Sequence, residues 1–264
     1  MEFNLKKLPL ELKQTDKGHI HLLNGKQVCG CTSISKLFEE DGWKFAWPPK
    51  LAVEYIKERW GENLPYNREY IDTTLQEGKN AWRKKRDKSA DTGTLAHQWC
   101  EVYIKGKLDG YEKETILLGH TLPIDEEILS CVIKFLDWES KNKVEWLASE
   151  VQVGSLKYNF AGILDWCAIV NGIETLGDIK TSKDIKFSSY IQTAGLWICL
   201  EEQSWIPKQR MILHLPKESN KDYEARIVPT NIEKDKEAFI TGVLFYNQLN
   251  LFKGRSEGKK RFYV

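Results

Sequence analysis

The 264-residue sequence contains no apolar run approaching the roughly 18 residues that a bilayer-spanning helix needs. Its first residues, Met1-Glu-Phe-Asn-Leu-Lys-Lys, lack the apolar stretch of a secretory signal. The expectation is a cytoplasmic protein with no membrane partner, in a compartment where thiols stay reduced. The six cysteines then read as free: Cys29 and Cys31 are one residue apart, and Cys100, Cys131, Cys167 and Cys199 are scattered singly. No CxxC pair and no zinc-type spacing occurs, which argues against a metal–cysteine cluster. Also missing are low-complexity tracts, internal repeats, a GxSxG elbow and any Ser/His/Asp pattern, so serine-hydrolase chemistry has no support. A large charge imbalance is absent too. With a formal net charge of +1, any surface for phosphate must be local.

What is present is an ordinary globular composition, 41% hydrophobic and 29% charged, in a chain long enough to bury a full core. Ten tryptophans serve packing first and base stacking second. Residues 19–35 read as extended segments around the turn Asn24-Gly25. Helical spacing follows at 48–60, at Thr73–Lys88 and at Thr94–Lys105, with a break at Ser89–Gly93 and Asp91 or Thr92 as N-cap. Another helix is predicted over Asp125–Lys141. The pattern then changes to strands at Glu150–Leu156, Asn159–Val170 and Ile173–Thr181, a helix at Phe187–Glu201, strands at Arg210–Leu215 and Glu224–Val228, and a last helix at Glu233–Leu251 before a basic tail. This order implies an α/β or α+β fold with a mixed central sheet flanked by helices. We read one domain over 1–264: a mainly helical N-terminal elaboration (1–90), a core (91–230), and a C-terminal helix with its tail (231–264).

Asn171-Gly172 between two β-rich runs is the strongest short hairpin signal a sequence offers. A two-residue turn there pairs 170 with 173, 168 with 175 and 165 with 178, so Asp165 faces Asp178. Lys180 points to the same face because strand side chains alternate. Ile163, Cys167, Ile169 and Leu176 make the rest of that face apolar. Two opposed carboxylates on such a face repel unless something positive stands between them, either a hard divalent cation or the Lys180 ammonium. Either aspartate alone reads equally well as a solvated edge residue. His97 and Glu101 share one helix face four residues apart, where a packed core histidine is the plainer alternative to a ligand.

Gly93-Thr-Leu-Ala-His97-Gln-Trp-Cys-Glu101, Ala161-Gly-Ile-Leu-Asp165, Gly177-Asp178-Ile-Lys180 and Tyr190-Ile-Gln192 form an ordered series. The series resembles the PD-(D/E)XK nuclease superfamily, in particular its RecB-like branch and the phage-type recombination exonucleases. The similarity covers roughly residues 90–200 and, weakly, Cys31–Lys36. The resemblance implies a restriction-endonuclease-like core and a metal-dependent DNA exonuclease of recombination, repair or phage DNA processing, in bacterial or phage-infected cytoplasm. His97, Asp165 and Asp178 then match metal ligands, with the backbone carbonyl of Ile179 as a further oxygen ligand. Lys180 matches the lysine that orients the attacking water, and Gln192 the glutamine beside it. Glu101 and Glu150 match positions that are often acidic, standing behind the ligands. One or two Mg²⁺ or Mn²⁺ ions are the implied cofactor. No cysteine follows Cys199, so the iron–sulfur cluster of some relatives is not expected.

The implied partners are linear DNA with ends and a single-strand annealing or recombination protein, with a homo-oligomer compatible. Arg83, Lys84, Lys85, Arg86 and Tyr190 are the candidate DNA contacts. The basic run reads equally well as a solvated helix face. The alternatives are a catalytically inactive DNA-binding subunit of the same fold and a structure-specific endonuclease of the same superfamily. The aromatic residue usual four positions after the glutamine is replaced by Leu196.

Overall fold

The computed structural model describes residues 3–15, 18–39, 43–59, 68–229 and 231–258. Three strands come first, β1 (Leu10–Thr15), β2 (Gly18–Leu23) and β3 (Lys26–Gly30). Asn24 (φ 52°) and Gly25 (φ 71°) supply the left-handed pair that a two-residue hairpin between β2 and β3 demands. Four helices and a short one precede the main strands: α1 (Cys31–Ser35), α2 (Trp43–Arg59), α3 (Arg68–Leu108), α4 (Lys113–Leu118) and α5 (Glu126–Ser140). Then come β4 (Val144–Ser155), β5 (Phe160–Val170), β6 (Ile173–Lys180), α6 (Phe187–Glu202), β7 (Gln209–His214), β8 (Glu224–Ile227) and α7 (Ile232–Gly258).

The strands form one mixed sheet of eight in the order β1-β2-β3-β5-β6-β7-β8, with β4 on β5. β3–β5 and β6–β7 are parallel and the other pairs antiparallel. Alternating residues feed two cores. Cys167 and Leu176 join α1, α6 and α7 side chains such as Ile34, Ile191 and Phe239. Trp166, Ala168 and Ile179 join Cys100, Tyr103, Phe135 and Trp138 from α3 and α5. Period-two strands between helical layers explain this split. The chain is therefore α/β with a mixed sheet flanked by helices.

Three expectations are corrected. The N-terminal region is less helical than expected: residues 19–30 are extended about Asn24-Gly25 as read, Leu10–Thr15 adds a further strand, and Cys31–Ser35, read as extended, is helical. The helix break at Ser89–Gly93 does not form. The hydroxyls of Thr92 and Thr94 bond back to the carbonyls of Lys88 and Ala90, both at 3.0 Å, so neither caps a new helix and α3 runs on. In place of a boundary near residue 90, the contacts group Met1–Glu39 with Ala96–Val264 as one compact unit and Glu40–Leu95 as another. Within the smaller unit Gly78 lets α3 approach α2, where a Cβ would meet Ile56 at 3.2 Å. The basic tail from residue 259 lies outside the described residues.

Other expectations hold closely. Asp125 caps α5, its Oδ1 accepting the Ile128 N–H at 2.8 Å. Asn171 (φ 51°) and Gly172 (φ 86°) make the two-residue turn, and the β5–β6 register pairs Val170 with Ile173 through Trp166 with Gly177.

Candidate active site

β4 follows β5 along its whole length on one edge. On the other edge β3 meets only Phe160 and Ala161, and β6 only Trp166 to Val170. Among the described pairings Gly162 to Asp165 therefore have no strand on that side. Asp165 stands at the end of this gap, where the next rung of the ladder would set it opposite Asp178. The rung is replaced by a side chain: Asp165 Oδ2 accepts the Ile179 N–H at 2.6 Å.

The strand pleat also changes here. The ladder runs from Ser149↔Trp166 to Val151↔Leu164, passing over Glu150 and Asp165. Glu150 has φ 52°, a left-handed conformation that a residue with a Cβ seldom adopts inside a strand. Ala148 and Val153 consequently face one core, as do Cys167 and Leu164, although each pair is of mixed parity. The apolar face expected to run Ile163–Asp165–Cys167 is thus corrected: Leu164, not Ile163, joins Cys167. A break in alternation re-aims Asp165, as irregularities beside functional sites commonly do.

Asp178 is fully buried. Lys180 Nζ donates to its Oδ1 at 2.8 Å and stands 2.6 Å from Oδ2, which itself has no directed hydrogen bond. Burial drives the Asp178 carboxyl up to about 6 against the pull of Lys180, and Asp165 adds to the rise. Burial raises Asp165 as well, opposed by Lys180 and the Ile179 N–H. Burial works against the Lys180 charge, yet Asp178 and Asp165 outweigh it and hold the ammonium above its usual range. On α6, Gln192 Oε1 accepts from Lys180 Nζ at 3.4 Å.

His97 comes from α3, its Nδ1 3.6 Å from Asp165 Oδ2. Although 30% of the side chain is open, surrounding protein and then Lys180 push its pKa down to about 4, while Asp178 and a backbone group of Ile179 oppose. The imidazole is neutral at pH 7, with a lone pair available to a cation. Glu150 is pushed up to about 8, by burial first and then by Asp165 and Glu101, with Lys105 opposing. Lys105 is engaged by Glu101 at 2.5 Å. Four carboxyl groups, Asp165, Asp178, Glu150 and Glu101, thus share a confined space with two lysines, Lys180 and Lys105.

The sequence-derived set Asp165, Asp178, Lys180, Gln192, His97 and the Ile179 backbone comes together, with Glu150 and Glu101 behind it. Among the described residues, no three His, Cys, Asp or Glu side chains form a ready-made metal-holding group. The donors nevertheless fit a hard divalent cation in kind: two carboxylates, a neutral imidazole, and a buried Asp178 oxygen without a directed partner. Arg83, Lys84, Lys85 and Arg86 are exposed on the helical unit, where Arg86 donates twice to Asp87 and, with Arg83, lies over the Trp82 ring. Tyr190 is held at both ends, its carbonyl by Arg210 at 3.0 Å and its phenol oxygen by Arg226 at 2.8 Å.

Several contributors had no sequence signal because their partners are far along the chain. Glu39 accepts from Lys186 and Ser188 at 3.4 Å and adds negative potential at Lys180. A His214 ring nitrogen lies 2.6 Å from the Ser182 carbonyl and ties down the loop after Lys180. Gly177 is required because Trp166 crosses it: a Cβ there would lie 1.8 Å from the indole.

The fold and site together define an α/β protein with a buried acid–acid–lysine cluster flanked by a neutral histidine. No protein-family model matches the chain, and no curated protein matches it. No described helix is long and apolar enough to cross a membrane.

Proposed function

We propose that the protein is a divalent-metal-dependent DNA exonuclease with a PD-(D/E)XK-type core of the RecB-like kind. The observation that carries this reading is the Asp165–Asp178–Lys180 cluster, two crowded, largely buried carboxyls sharing one lysine at the point where β5 and β6 part. An arrangement that costs stability through repulsion is expected where a bound cation relieves it. Asp165, Asp178, His97 and the Ile179 carbonyl would hold Mg²⁺ or Mn²⁺, with Glu150 and Glu101 behind them. When bound, the ion supplies charge neutralisation at the phosphate and a more acidic water.

The chain's own groups do the rest. Lys180, kept charged by its acidic neighbours, donates a proton in hydrogen bonds to the attacking water or to a phosphate oxygen. Gln192 and Asp178 hold its Nζ in place. The Asp165 bond to the Ile179 N–H fixes the separation of the two strands that carry the acids. The substrate is linear DNA, with Arg83 to Arg86 and Tyr190 as phosphate or base contacts, in a recombination, repair or phage-processing role.

The test is degradation of end-labelled linear and relaxed circular DNA by purified protein, with chelator, Mg²⁺, Mn²⁺ or Ca²⁺. Linear DNA should shorten stepwise with Mg²⁺ or Mn²⁺ and persist in chelator or with Ca²⁺ alone. Equal attack on circles would replace the end requirement with endonuclease activity. Full activity in chelator would end the metal mechanism.

A further inference from the structure

Phe187 opens α6 with 56% of its surface exposed, an unusual place for a phenyl ring that fills no core. Its edge meets Tyr190 at 88° with centroids 6.3 Å apart. Tyr190 is not free to swing away. Arg210, itself only 3% exposed, grips its carbonyl, and Arg226 grips its hydroxyl. Tyr190 is therefore a fixed ring, and Phe187 lies edge-on against it. Lys183 on the preceding loop is exposed, and Arg226, which holds the Tyr190 hydroxyl, is 41% exposed and paired with Glu224 at 2.6 Å. The same helix carries Gln192, which touches Lys180. Gln192 lies five positions after Phe187, a rise of about 7.5 Å along the axis and a turn of roughly 140° about it.

An exposed ring backed by a fixed tyrosine, on a helix whose Gln192 touches Lys180, suits one ligand chemistry. That ligand is a planar base joined to a phosphate. A paired base keeps its faces covered by its neighbours in the stack, whereas an unpaired one can leave the stack and lie on the ring.

We infer that Phe187, braced by Tyr190, is a stacking platform for an unpaired nucleotide of the DNA strand entering the active site. The inference rests on the nuclease reading and deepens it by naming the substrate class: an end with an unpaired strand. Phe187 is accordingly a specificity-determining residue that makes no contact with the acids.

The experiment measures binding in chelator, so that no cleavage intervenes. Duplexes with a thymidine overhang, an abasic overhang of equal phosphate count, or a blunt end are compared. A 2-aminopurine replaces single overhang bases. Wild type should prefer the thymidine overhang over the abasic one by at least about 5-fold, the lower end of one base stack. It should also quench 2-aminopurine at one or two positions. Phe187→Ala should lose both the preference and the quenching while binding the abasic overhang as before. Phe187→Trp should restore both, and Phe187→Leu should not. Equal binding of thymidine and abasic overhangs by wild type, or rescue by Leu, would overturn the platform. Cleavage without preference or quenching would sink the platform and leave the nuclease reading intact. Quenching and preference in a protein that cleaves with no metal would do the reverse.

Discussion

Glu150→Gln offers the sharpest test that the acidic cluster is strained for function. Glu150 sits among Asp165 and Glu101, with only Lys105 in opposition, and its carboxyl rises from 4.5 to about 8. A carboxyl whose folded pKa is raised contributes stability that is complete below about 4.5 and is lost as pH climbs through about 8. That separation has a ceiling of roughly 5 kcal/mol. Part of the side chain meets solvent, and screening reduces the expected loss to about 2 kcal/mol.

Gln keeps the shape and cannot ionise. Urea unfolding of both proteins at pH 4.5, 6, 7.5 and 9, in chelator, should therefore give similar stabilities at the lowest pH. At the highest, the variant should be more stable by about 2 kcal/mol. Asp178 also titrates in this range, but it does so in both proteins and largely cancels in the difference. Mg²⁺ or Mn²⁺ should narrow the gap by stabilising ionised Glu150 in the wild type. Parallel pH profiles, or a variant less stable at pH 9, would refute the crowding argument.

Lys180→Ala should lower metal-dependent cleavage by at least about 10²-fold and, by leaving buried Asp178 without its cation, lower the melting temperature, and Asp178→Ala should match or exceed that loss of rate and weaken metal binding. Near-normal rates in Lys180→Ala would remove the lysine from the mechanism. His97→Ala should raise the Mg²⁺ or Mn²⁺ concentration needed for half-maximal activity. A lower melting temperature with an unchanged metal requirement would make His97 a core residue instead. Gly177→Ala forces a methyl group into the fully buried Trp166, already packed on Trp138 and Trp146 at centroid distances of 5.5 and 5.6 Å. It should cost about 3 kcal/mol or more. A Trp166→Leu background should relieve much of that cost, whereas additive losses in the double variant would show that the two positions do not clash.

The sequence by itself determined whatever depends on near neighbours. Asn171-Gly172 can satisfy a turn with two left-handed residues, so it set the β5–β6 register and brought Asp165 and Asp178 to one level. Two-residue spacing placed Lys180 beside Asp178, and the apolar periods of α5 and α6 were legible for the same reason. Only the tertiary structure decided what depends on distant partners. Thr92 and Thr94 look like helix starts until their hydroxyls are seen bonding back to the preceding turn. The sequence suggests a strand starting at Glu150, whereas β4 begins at Val144 and passes through a left-handed Glu150 paired along β5. The N-terminal strands gain their place by pairing β3 with β5 across some 130 residues. Arg210, His214 and Glu39 carry no local pattern, since their roles consist of hydrogen bonds to elements remote in the chain. Local chemistry chose the clustered acids and lysine, and packing decided how tightly, and at what electrostatic cost, they are held together.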